Sequence, residues 1–359
     1  MKKRILSVIL SSLILSIAAI SISGCDRSSD DNTDNSQINN SQINNSSTTD
    51  DNTTVSVFEY EYEENYTYKL DYKYVEDYYF SSFGGEYIEL YYDIVDAVIN
   101  HKSEIEISNS IEDLYYSDNV IKGFLHINPL QSFVTNIERQ ENVIYIEYRF
   151  DEQNHKKELQ YMDKRLNEIL ETNVKEDYTD FERIMAIYTY VSSNFKYDSS
   201  YDVESNEKID VYDFIKNGYG VCHSYARTCK FLIYQYGINT YEARAYSPDG
   251  KPHEWFLAQI DDEWYHFDPT YENNDTNGLG LKYFAMSDER RFNNGGFLPQ
   301  FIAGVSPITT SSPAAIKTNF DVFNNILSYQ INSDRMIDAK LTDGKTVTLD
   351  YLDYVISNY

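Results

Sequence analysis

Cysteine is scarce in this chain of 359 residues, with three in all, and positive charge is short: 30 Lys and Arg stand against 58 Asp and Glu, a formal net charge of −28 at pH 7. Such an acidic chain repels phosphate backbones and anionic headgroups, which argues against nucleic-acid binding and direct adhesion to anionic lipid. Neutral or cationic targets such as peptides and proteins remain, although the same charge also serves solubility. The cysteine count is more informative. Cys222 and Cys229 lie on one apolar-periodic helix, where a rise of about 1.5 Å per residue sets their Cα atoms about 10.5 Å apart. That exceeds the reach of about 7 Å for a disulfide, so both are expected to be free thiols. Metal spacing is missing too: no Cys-x2-Cys or His-x3-His pattern supports a zinc site built from Cys222, His223, His253 and His266. No metal or cofactor is expected.

Apolar residues are nearly absent from Asp26 to Thr54, where only Ile38 and Ile43 interrupt a polar run that repeats Ser-Gln-Ile-Asn-Asn at 36–40 and 41–45. Such a segment cannot bury enough surface to order itself, and as a flexible tether it spans about 30 Å root-mean-square. The chain before it has a different character. Met1-Lys2-Lys3-Arg4 leads into an apolar stretch from Ile5 to Ile22, the pattern of a signal peptide. An uncleaved membrane anchor is the alternative, since that stretch just reaches across a hydrocarbon layer of about 30 Å. Ile22-Ser23-Gly24-Cys25 resembles a bacterial lipobox, with Ile in place of the commoner Leu. That resemblance implies a lipid on Cys25 and an extracytoplasmic protein anchored to the bacterial cell membrane.

Five segments follow: signal peptide and lipobox at 1–25, tether at 26–54, a small tyrosine-rich α+β domain at 55–150, a second α+β domain at 151–292, and an extension of unknown role at 293–359. In the first domain, runs from Val55 to Tyr62, Tyr66 to Tyr74 and Val143 to Phe150 alternate like strands, and Glu86 to Asn100 has helical periodicity. Asn154–Thr172 and Thr179–Asn194 predict helices, the second burying Phe181, Ile184, Ile187, Tyr188 and Val191. Near the end, Pro313 is expected to open a helix reaching Tyr329, and Asp343-Gly344 to turn a hairpin between Ala339–Leu341 and Thr346–Leu349.

Gly218-Tyr219-Gly220-Val221-Cys222 precedes a helix whose apolar positions are Cys222, Tyr225, Ala226, Cys229, Leu232, Ile233 and Tyr236, ending at Gly237. Cys222 therefore sits on the first turn, where unpaired N–H groups and the helix dipole favour thiolate. The glycines allow close backbone approach of a substrate. Cys229, deeper on the same stripe, reads as core, and His223 as pointing away from Cys222. His253 to Ile260 and Glu263 to Asp268 read as strands joined across Asp261-Asp262. A two-residue loop puts Asp268 opposite Trp255, diagonal to His253 on the same face, with backbones about 7–8 Å apart. A carboxylate there can fix the imidazole's tautomer and stabilise its cation. Trp255 and Trp264 are either core or groove residues.

Tyr219-Gly220-Val221-Cys222-His223-Ser224-Tyr225-Ala226, His253-Glu254-Trp255 and Trp264-Tyr265-His266-Phe267-Asp268-Pro269-Thr270 are similar to the three blocks of the transglutaminase-like superfamily. Tyr283 to Glu289 resembles its closing strand, so the likeness covers about residues 175–290. It implies an α+β fold with a papain-like core, a nucleophile helix packed on an antiparallel sheet, and a catalytic triad of Cys222, His253 and Asp268. Glu254 replaces a smaller residue, and the oxyanion-site Trp and calcium sites of the animal enzymes have no counterpart. The Cys222 N–H is one oxyanion donor, with Tyr197 or Tyr212 a candidate for the other.

These readings predict a surface enzyme that forms a thioester from a glutamine carboxamide or a peptide bond in a protein or peptide substrate. Hydrolysis is favoured over cross-linking. The alternatives are a catalytically inactive surface binding module and a structural surface protein.

Overall fold

The computed structural model describes residues 61–76, 87–108, 111–200, 210–246, 250–296 and 313–352. Cys25, the signal peptide and the tether at 26–54 lie outside them, as does most of the strand expected from Val55 to Tyr62. Among the described residues no helix is long and apolar enough to cross a membrane.

The alternation between Tyr66 and Tyr74 survives as burial without becoming a strand. Leu70, Tyr72 and Tyr74 are buried, yet the backbone finds side chains instead of a neighbouring strand. Asp163 accepts the N–H groups of Lys69 and Leu70 at 2.9 and 3.2 Å and the Tyr66 hydroxyl at 2.6 Å. Asn128 donates to the Tyr72 carbonyl at 2.9 Å, and Gln235 accepts from the Asp71 N–H at 2.9 Å. Side-chain acceptors satisfy the polar backbone here as a sheet would.

Helix α1 (Ile88–Ile99) leads to strand β1 (Glu104–Glu106), helix α2 (Ile111–Ile127) and the hairpin β2 (Val134–Gln140) and β3 (Val143–Tyr148). These strands form an antiparallel sheet ordered β1-β3-β2. Helices α3 (Glu152–Asn173) and α4 (Asp180–Asn194) match their expected periodic segments. A capping box starts α4: Glu182 accepts from the Thr179 N–H at 2.8 Å while Thr179 Oγ1 accepts from the Glu182 N–H at 3.4 Å. Its expected stripe of Phe181, Ile184, Ile187, Tyr188 and Val191 is buried.

Beyond α4 come β4 (Lys196–Tyr197), α5 (Val211–Asn217), β5 (Tyr219–Gly220) and α6 (Cys222–Tyr234). Strands β4 and β5 pair in parallel, Tyr197 opposite Gly220. An antiparallel sheet ordered β6-β7-β8 follows, from β6 (Thr240–Tyr246), β7 (Pro252–Ile260) and β8 (Glu263–Phe267), and α6 packs against β7. The β7–β8 turn holds Asp261 and Asp262 at φ of 50° and 62°, the left-handed pair of a two-residue turn whose twist matches the strands. It pairs Ile260 with Glu263 and Phe256 with Phe267, so Asp268 comes opposite Trp255 as expected. Helices α7 (Pro269–Thr276) and α8 (Asp288–Asn293) close this part of the chain.

The helix expected from Pro313 to Tyr329 is absent. A short 3-10 turn at Asp321–Asn325 is followed by β9 (Ile326–Ile331), which joins β10 (Ile337–Leu341) and β11 (Thr346–Leu349) in the order β11-β10-β9. Ile326 and Ile331 find pairing partners in β10, and this long-range ladder outweighs the helix-opening tendency of Pro313. The hairpin across Asp343-Gly344 forms as expected. Arg335 ties this sheet to α4 through Glu182, and Phe181 stacks on Phe320 and Tyr351 at 5.3 and 4.6 Å. One core of buried residues thus runs from Leu70 to Tyr351, and the α+β class holds.

Candidate active site

Two glycines deliver Cys222 to its place. Gly218 adopts φ 78° and ends α5, donating to the Phe214 carbonyl at 2.9 Å. At Gly220 a Cβ would come within 2.5 Å of the Phe214 ring and 2.7 Å of Ser224 Oγ, so the chain passes under α6 only without a side chain. The close approach is thus to neighbouring protein atoms. Val221, the N-cap of α6, has no side-chain acceptor for the first-turn N–H groups, while Ser224 Oγ accepts from the Val221 N–H at 3.2 Å. The N–H end of α6 faces the thiol it carries.

The Cys222 thiol is half-buried and free. It hydrogen-bonds to both His223 and His253. Burial pushes it up, but these two imidazoles outweigh burial and bring it down to about 6. His223 therefore does not point away. The clash with a preceding turn that restricts rotamers in a helix interior does not operate on the first turn, so both side chains can fold over the helix end.

His253, on β7, donates its Nε2–H to the ionised Asp268 Oδ2 at 2.7 Å, which leaves Nδ1 for the thiol. Asp268 follows β8 and is the N-cap of α7, its Oδ1 accepting from the Tyr271 N–H at 3.0 Å. Burial pulls His253 down; the Asp268 charge and hydrogen bond and the contact with Cys222 overcome it and lift the imidazole to about 9. Burial raises Asp268, but the His253 and Arg291 cations hold its carboxyl below the usual range. Between about 6 and 9 the pair is thiolate and imidazolium. Trp255 and Tyr271 both stack on the His253 ring, at 5.7 and 4.7 Å with interplanar angles of 18° and 20°. The ring is held by packing as well as by charge.

Glu254, unusual beside His253, serves a buried ionic cluster. It accepts from Arg227 at 3.1 Å and Arg244 at 2.7 Å, and Arg227 also reaches Asp210 at 2.8 Å. Lys230, fully buried, lies 2.8 Å from Glu242 and also pairs with Glu76. Such charges survive burial only in mutual pairing. The cluster roots α6, β6 and β7 to one another behind Cys222.

Of the two candidate tyrosines, Tyr212 is engaged elsewhere, donating to Glu158 at 2.9 Å and accepting from Lys216 at 2.8 Å. Tyr197 is partly exposed, and burial first, then the Cys222 charge, raise its phenol to about 12, so it keeps its proton. Cys229 is fully buried and pushed well up by burial, a core thiol. Trp255 is fully buried and Trp264 half-buried against the core. Trp255 donates its indole N–H to His266 Nδ1 at 3.0 Å, and His266 Nε2 meets Asp288 at 2.8 Å. Arg291 and Tyr271 are the neighbours of the site that sequence reasoning missed, whereas His223 is named there but expected to face the other way. Arg291 stands in no recognisable spacing with the other residues, and Tyr271 lies one position beyond Thr270, the last residue of the third block.

Residues 165–269 match the model of the Transglutaminase-like superfamily. No curated protein matches the chain. Among solved structures, a proposed cysteine protease from Cytophaga hutchinsonii is 22% identical over 30% of this chain and 37% of that one, with a TM-score of 0.25. A TGase is 13% identical over 38% and 43%, TM-score 0.28. LapG of Legionella pneumophila is 12% identical over 34% and 67%, TM-score 0.24. The shared region is thus less than half the length of the first two.

Proposed function

From a transglutaminase-like domain at residues 165–269, we propose that this protein is a cysteine-dependent acyl transferase or hydrolase acting on glutamine carboxamides or peptide bonds. The observation that carries the reading is the placement of the Cys222 thiol against His253, whose other ring nitrogen is held by Asp268 at 2.7 Å. Cys222 Sγ attacks the carbonyl carbon, and the resulting oxyanion is received by the N–H groups at the start of α6. Tyr197, whose phenol feels the Cys222 charge and keeps its proton, is assigned as the second donor. His253 Nδ1 then gives its proton to the leaving nitrogen as the C–N bond breaks, leaving a thioester. Water or an amine, deprotonated by the neutral imidazole, releases the acyl group. Hydrolysis is the favoured outcome, since water needs no docking site.

The test is incubation of the full chain with a glutamine-containing peptide, with and without a primary amine, followed by mass spectrometry. A thioester on Cys222, lost in Cys222→Ala, supports an enzyme; deamidated or cleaved product marks hydrolysis and amine-adducted product cross-linking. A folded protein that binds the peptide but never acylates Cys222 would instead be the inactive binding module. The lipobox extends the proposal to an extracytoplasmic lipoprotein anchored through Cys25. Labelled palmitate should enter the expressed protein and be lost from Cys25→Ala; equal labelling of the two would remove the anchor from the reading.

A further inference from the structure

Arg291 is fully buried, an expensive position for a guanidinium unless charge and ring faces replace its water. Both are present. Its Nη2 lies 2.9 Å from Asp268 Oδ2, the oxygen that also meets His253 Nε2. Its guanidinium sits 4.4 Å over the Trp255 ring and 5.4 Å over Tyr271, the two rings stacked on His253. Asp288, one turn earlier on α8, meets His266 at 2.8 Å, and His266 in turn accepts the Trp255 indole N–H at 3.0 Å. Helix α8 therefore sets both the cation at Asp268 and the indole beside the imidazole. It lies beyond the residues 165–269 matched by the superfamily.

We propose that Arg291 is a positioning residue, which shares the negative charge of Asp268 so that His253 can release its proton without leaving a buried carboxylate uncompensated. The inference rests on the reading of Cys222, His253 and Asp268 as a triad. With His253 as sole counterion, the carboxylate would hold the imidazolium proton more firmly and hinder its transfer to the leaving nitrogen. A permanent second cation weakens that hold, and the stacking of the guanidinium on Trp255 and Tyr271 keeps that charge beside Asp268. The other titratable groups around Arg291 are Tyr188, Tyr271, Tyr283 and His266. Burial raises Tyr188 and Tyr283 and lowers His266, so these three stay neutral where His253 titrates. Glu272, bonded to Tyr188 at 3.1 Å and to the Tyr283 N–H at 2.7 Å, is pushed by burial to about 7 and titrates below that range.

The test follows the ring resonances of histidine-labelled full chain by NMR across pH, with the His253 signal identified by its absence from His253→Gln. In Arg291→Met the His253 midpoint should rise by about one unit, a tenfold tighter hold on the proton. Arg291→Lys should restore it to within a few tenths of a unit even where thermal stability stays reduced. A merely structural arginine would lower stability in both variants and leave the midpoint unmoved, which overturns the proposal. Should Arg291→Met not fold, Arg291→Gln takes its place as the uncharged variant: a His253 midpoint raised by about one unit supports the proposal, and one left unmoved overturns it. A wild-type His253 that titrates at its ordinary value, beside a Cys222 that alkylates like an ordinary thiol, would be failure of the triad reading itself.

Discussion

Alkylation of Cys222 by iodoacetamide reads the thiolate directly, and the choice of pH decides whether the experiment is informative. With the thiol brought from its ordinary 9.0 to about 6, the folded protein at pH 7 holds about 90 times more thiolate than an unperturbed cysteine. Reactivity gains much less. Intrinsic nucleophilicity falls with pKa along a slope of about 0.4–0.5, so three units cost about 20-fold and leave a net advantage of only about fourfold. At pH 5 the thiolate ratio grows to about 900, and the net advantage to about 40-fold. The comparison is therefore made at pH 5, between the wild type and the double variant His223→Ala/His253→Ala, with modified cysteines counted by mass spectrometry. Removing both imidazoles leaves burial, which raises the thiol, so the variant should lose at least that factor. His253→Ala alone should fall between, because His223 still bonds the sulfur. Cys229 has no such partner and is fully buried, so it should stay unmodified while the protein is folded. Equal rates for wild type and double variant at pH 5 would refute the ion pair.

Two further outcomes concern stability. The folded pKa of His253 is raised from 6.5 to about 9 and that of Cys222 lowered from 9.0 to about 6. The imidazole's contribution is complete below 6.5 and lost as pH rises through about 9, whereas the thiolate's is complete above 9 and lost as pH falls through about 6. Their slopes cancel between about 6.5 and 9, so this pair should give wild-type denaturation midpoints no trend there. Cys222→Ala removes one slope, and its stability, followed by urea denaturation, should decline with rising pH by up to about 1.4 kcal/mol per unit; a flat profile would show His253 to be unshifted. Gly220→Ala should destabilise by about 1–3 kcal/mol through the contact with Phe214 and Ser224, seen as a lower Tm, and an unchanged Tm would mean that the α5–α6 junction yields easily.

Local patterns alone determined much of this protein. The stripes of α3, α4 and α6, the hairpin across Asp343-Gly344, and the two-residue turn at Asp261-Asp262 were all legible, because periodicity and turn chemistry act over a few residues. From that turn alone the register followed, and with it the approach of His253 to Asp268. The tertiary structure decided the rest wherever the deciding partner was distant in the chain. The Tyr66–Tyr74 segment alternates like a strand but spends its backbone hydrogen bonds on Asp163, Asn128 and Gln235, and Ile326–Ile331 left its expected helix for a ladder with β10. His223 turned onto Cys222 because a helix's first turn lacks the restraint that sequence spacing assumes. Glu254 took its meaning from Arg227 and Arg244, and Arg291 from Asp268, Trp255 and Tyr271. Buried charge is stable only where opposite charge, donors and ring faces converge from several elements, and that convergence is a property of the fold that no local spacing encodes.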